Sequence, residues 1–69
     1  MGAALRTYQI PQNSLPAHLQ ELQAIPYPER SSNLRHVYFS QNQGLWVGVS
    51  RRGDGLEVSL FETCPCSGG

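Results

Sequence analysis

Apolar residues recur along this chain with two different periods. Leu15, Leu19, Leu22 and Ile25 are spaced by four, three and three residues, which predicts one face of an amphipathic helix, with Gln20, Glu21 and Gln23 turned outward. Ser14 is placed to cap its first turn, and Pro16 is tolerated there because the N–H it lacks has no intrahelical partner. Pro26 and Pro28 end the helix, and 26–33 reads as a surface loop. From Leu34 onward the period falls to two. Leu34 to Ser40, Leu45 to Arg51 and Leu56 to Glu62 read as strands, separated by Gln41-Asn42-Gln43-Gly44 and Arg52-Gly53-Asp54-Gly55, both turn sequences. A further short strand, Leu5 to Ile10, precedes Pro11. The predicted fold is a single small α+β domain of β-α-β-β-β order, an antiparallel sheet with one helix packed on one face, over 1–62, followed by a flexible Cys- and Gly-containing tail at 63–69.

Alternation assigns the strand residues to sides. Val37 and Phe39, Leu45, Val47 and Val49, and Leu56, Val58 and Leu60 are expected to face the helix. The other face is then expected to carry His36, Tyr38, Trp46, Gly48, Ser50, Glu57, Ser59 and Phe61. A sheet covered on one side normally shows water polar residues, whereas this one would show three rings on adjacent strands. The predicted binding set is therefore Tyr38, Trp46 and Phe61 for contact area, with His36 beside them and Arg35 and Arg51 at the rim. These residue types dominate protein interfaces, so the expected partner is another protein or a second copy of the chain. Two other readings compete. The N-terminal segment or the 26–33 loop, with Tyr8 and Tyr27, could cover the rings as a small second core. The sheet could instead stack the bases of single-stranded nucleic acid.

Charge decides against the last of these. Five basic and five acidic residues cancel, and phosphate binding needs a sustained positive field, although Arg30, Arg35, Arg51 and Arg52 make mid-chain locally basic. All five basic residues are Arg, so Schiff-base chemistry and the lysine-dependent phosphate loop are excluded. Only five carboxylates are present, Glu21, Glu29, Asp54, Glu57 and Glu62. A tuned acid–base pair is hard to assemble from so few, and no enzymatic activity and no cofactor are expected. No apolar stretch approaches the roughly 20 residues of a membrane span, and the N-terminus lacks the pattern of a secretory leader, so the expected setting is cytoplasmic. Arg52-Gly53-Asp54 spells an adhesion tripeptide but reads more simply as a hairpin turn. His18, at the edge of the helical stripe, reads as a packing or surface residue.

The tail offers two further chemistries. Cys64 and Cys66, one residue apart around Pro65, are the candidate metal or redox pair. Two thiolates fall short of a closed zinc site, and a disulfide between such near neighbours is geometrically poor, so reduced cysteines are expected. Gly55-Leu56-Glu57-Val58-Ser59-Leu60-Phe61, followed by a tail ending Ser67-Gly68-Gly69, resembles the end of the ubiquitin-like sulfur carriers of thiamin and molybdenum-cofactor biosynthesis. That resemblance implies adenylation and thiocarboxylation of the C-terminal glycine by a partner enzyme. It covers the last fifteen residues only, and those carriers open with a hairpin where one strand precedes the helix here.

Overall fold

The computed structural model describes residues 4–27 and 36–65. Its elements are β1 (Arg6–Pro11), a 3-10 turn (Gln12–Ser14), α1 (Leu15–Leu22), β2 (Ala24–Tyr27), β3 (His36–Ser40), β4 (Leu45–Arg52) and β5 (Gly55–Phe61). All five strands form one sheet in the order β1-β5-β4-β3-β2, and every neighbouring pair is antiparallel. The expected α+β fold, one helix on an antiparallel sheet, is what the chain adopts. It gains one short strand, β2, between the helix and β3. Because β1 and β2 are opposite edges, α1 carries the chain from one side of the sheet to the other.

That extra strand follows from where the helix stops. Gln23 adopts a left-handed conformation (φ 54°, ψ 46°) with its N–H turned back to the Gln20 and Leu19 carbonyls, closing the helix before Ile25 is reached. The residues after it lie along β3, with Ala24 opposite Ser40 and Tyr27 opposite Val37. Ile25 is therefore a strand residue, 47% exposed, rather than the last position of the helical stripe. Pro26 is compatible with this because β2 is an edge and one side of it needs no donors. Ser14 is itself in helical conformation and its side chain makes no capping bond; the 3-10 turn before it takes over the entry to the helix.

The core lies between α1 and the sheet. Leu22, Val47, Val49, Leu56, Val58 and Leu60 form it, with Tyr8, Ile10, Leu15, Ala24, Tyr38 and Leu45 packed around them. Among the described residues, one polar side chain is wholly buried there. The Ser40 hydroxyl donates to the Leu22 carbonyl (3.0 Å) and accepts from the Gln43 N–H (3.2 Å), so it joins the helix end to the β3–β4 turn. Two turn glycines take positive φ, Gly44 (69°) and Gly53 (60°), as the turn sequences require. Among the described residues, no helix is long and apolar enough to cross a membrane.

Candidate functional site

Residues directly opposite one another in an antiparallel ladder share a face, so the register fixes the two sides of the sheet. Tyr8 pairs with Val58, Val58 with Val49, and Val49 with His36. Tyr38 pairs with Val47 and with Pro26. His36, Tyr38 and Ser40 thus stand on the helix-bearing face. The opposite, open face carries Phe61, Trp46, Phe39 and Ile25 as a single row across β5, β4, β3 and β2. A second row behind it holds Ser59, Gly48, Val37 and Tyr27.

This corrects the expected assignment of β3. Trp46 and Phe61 are where alternation put them, but Tyr38 and His36 exchange places with Val37 and Phe39. The cause is the β3–β4 turn. Ser40 and Leu45 are paired across the four residues Gln41–Gly44, so even-numbered residues of β3 share a side with odd-numbered residues of β4. Tyr38 packs against the helix-side core, and burial pushes its phenol above the ordinary tyrosine value. His36 is exposed, leans on the Tyr38 ring at 6.1 Å, and borders a hollow lined by Leu15, Val49 and Leu56. Arg51, opposite Leu56, also belongs to the helix-bearing side. Arg35 lies outside the described residues.

The open face is built from rings that lean on one another. Trp46 meets Phe39 edge-on at 4.9 Å and Tyr27 edge-on at 4.7 Å, the geometry that opposed ring quadrupoles favour. Gly48 stands between Val37 and Ser59 in the second row and is buried. Val37 is 2% exposed, whereas Trp46, Phe39, Phe61 and Tyr27 are half-buried. Tyr27 thus provides part of the cover that the competing second-core reading expected of the 26–33 segment. Tyr8 does not, because it stands on the helix side. Towards the β4–β5 turn the face becomes polar through Gln9, Glu57 and Ser50. There Arg52 lies 3.8 Å from the Glu57 carboxylate, and Thr7 bonds Ser59 at 3.3 Å.

The tail differs from expectation at Cys64, which is disulfide-bonded and so presents no thiolate for a metal. Pro65 follows it; Cys66 and Gly68-Gly69, on which the metal and sulfur-carrier readings also depend, lie outside the described residues. Among the described residues no three His, Cys, Asp or Glu side chains gather as a metal site. No family model, curated protein or solved structure matches the chain.

Proposed function

We propose that this chain is a small, non-enzymatic regulatory or accessory module that binds another protein, or a second copy of itself, through the open face of its sheet. The observation that supports this is the row Phe61–Trp46–Phe39–Ile25, which runs across four strands with no described helix or strand over it. Three partly exposed aromatic side chains and one exposed aliphatic side chain in a line offer desolvation and shape at little entropic cost, which is what interface centres use. The neighbouring polar row supplies a rim. The one described cation on this side, Arg52, already faces Glu57, so the face resembles a protein contact more than a phosphate track. The disulfide at Cys64 is of the kind that oxidising compartments maintain, and binding through the sheet does not use that residue.

Phe61→Glu and Trp46→Ala test the reading. Each is compared with the wild type by near-UV circular dichroism and thermal melting, then by sedimentation and by affinity capture of a purified partner. Loss of association with a native-like melt is expected for both. Association of wild-type strength in both variants refutes the face as the interface.

A further inference from the structure

On the other side of the sheet, between α1 and the β1 edge, lies a cleft of about 320 Å³. Its floor is apolar, from Leu22 and Leu60, and its walls are Arg6, Tyr8, His18, Glu21, Asn42 and Gln43. The proposed binding function uses none of these walls. Three of them form a chain. The Tyr8 hydroxyl is hydrogen-bonded to His18 Nε2, and His18 Nδ1 lies 3.8 Å from Glu21 Oε1. The Arg6 guanidinium sits 5.5 Å above the Tyr8 ring.

The hydrogen-bond roles along that chain depend on one proton. A carboxylate facing Nδ1 favours the tautomer with its proton there, so in the neutral ring Nε2 accepts and the Tyr8 hydroxyl donates to it. The phenol then has only lone pairs to offer the cleft. When His18 binds a second proton, Nε2–H becomes a donor and can no longer accept. The Tyr8 oxygen must take that bond, and its own hydrogen is freed. Next to Arg6, the cleft then presents a hydroxyl donor, a guanidinium and an imidazolium. Among the described residues, the charged and titratable groups facing His18 are Arg6 and Tyr8 from β1 and Glu21 from its own helix; the β3–β4 turn brings the neutral amides of Asn42 and Gln43, and β5 brings Leu60. The Glu21 side chain is 80% exposed, so its repulsion of a bound anion is screened by water.

We propose that this cleft is a proton-gated site for a carboxylate, held by Arg6 and by the Tyr8 hydroxyl that protonation of His18 turns outward. Binding and protonation are then linked, and each strengthens the other. The probes are formate and N-acetylglycine, which stay ionised over the range used and represent a free carboxylate and a peptide C-terminus. Each is titrated at about pH 5.5 and about pH 8, bracketing the range where imidazoles change charge, while the ring resonances of His18 and His36 are followed by NMR. Affinity about tenfold higher at the acid pH is expected, with the His18 signals moved by the anion and those of His36 unmoved. His18→Gln, whose amide can still accept from Tyr8 but cannot titrate, is expected to bind equally at both pH values, and Arg6→Gln is expected to lose binding at both. Tighter binding of N-acetylglycine than of formate identifies a protein C-terminus as the source, and equal binding a free acid. The proposal is overturned if neither anion binds, if affinity is the same at both pH values, or if His18→Gln keeps the wild-type pH dependence.

Discussion

Replacing Ser40 by alanine probes how the helix is fastened to the sheet. Ser40 is 0% exposed, and its hydroxyl both donates to the Leu22 carbonyl and accepts from the Gln43 N–H. Without it, the carbonyl at the helix end loses its donor in a place water does not reach, which costs about 1–3 kcal/mol. The Gln43 N–H lies in an exposed turn, where water can replace the lost acceptor, and adds about 0.5–1 kcal/mol. The sum is about 1.5–4 kcal/mol, against a total stability of about 3–5 kcal/mol for a domain of this size. At about 4–8 °C per kcal/mol, the midpoint of thermal unfolding falls by about 6–32 °C. Urea unfolding followed by the fluorescence of Trp46, the single tryptophan, measures the loss directly. Ser59→Ala is the control, since its bond to Thr7 is exposed and its removal should change stability by less than about 0.5 kcal/mol. If Ser40→Ala also falls within about 0.5 kcal/mol of the wild type, the hydroxyl is not what fastens the helix end, and the argument from burial fails.

Gly55→Ala should destabilise the β1 edge, because an added Cβ would stand 2.6 Å from the Ile10 carbonyl oxygen. Backbone cannot yield as a flexible side chain does, so a loss of about 1–3 kcal/mol is expected in the same urea assay, and a melt equal to the wild type would contradict the closeness of β1 and β5. Alkaline pH should weaken the fold through Tyr8 and Tyr38, whose phenols are raised above 10.0 chiefly by burial. A raised phenol favours the protonated form in the native state, so its contribution is complete below the unfolded value and disappears as pH climbs through the folded one. Stability measured from pH 9 upward should fall less steeply in Tyr38→Phe, and an unchanged slope would count against the desolvated environment of that ring.

Much of this architecture could be read from hydrophobic spacing, and the parts that could not have specific causes. The helix, β1 and the three C-terminal strands follow from periods of 3.6 and 2. β2 does not, because Pro26 reads as a terminator until the strand is known to be an edge, and because the helix is stopped by Gln23, a left-handed residue with no glycine signature. The composition of the open face was misread in phase at β3, and Arg51 of β4, expected at its rim, stands opposite Leu56 on the other side. Aliphatic character suggested Val37 and Phe39 for the core, yet the same counting that assigned β4 and β5 correctly across the two-residue turn Gly53-Asp54 also applies at Gln41–Gly44. An even number of turn residues puts Ser40 and Leu45 on one side, and hence Phe39 beside Trp46. A polar Ser40 on the core side argues against that phase by composition alone; only the Leu22 carbonyl, distant in sequence, explains why it belongs there.

The dimensions of the layers account for the existence of an open face at all. Eight helical residues at about 1.5 Å each extend about 12 Å, while five strands spaced about 4.8 Å apart span about 19 Å. One such helix cannot cover even one side of the sheet completely, and nothing described lies over the other. The chain meets that shortfall by letting rings shield rings: Tyr27 and Phe39 stand edge-on to Trp46, and Val37 lies enclosed in the row behind. The arrangement shelters the inner atoms of the patch and leaves its outer surface partly wet. Removing Trp46 therefore uncovers a surface rather than hollowing the core, because the packed side chains of the same strand, Val47 and Val49, point the opposite way. That separation along a single strand is what allows binding at the open face to be tested apart from folding.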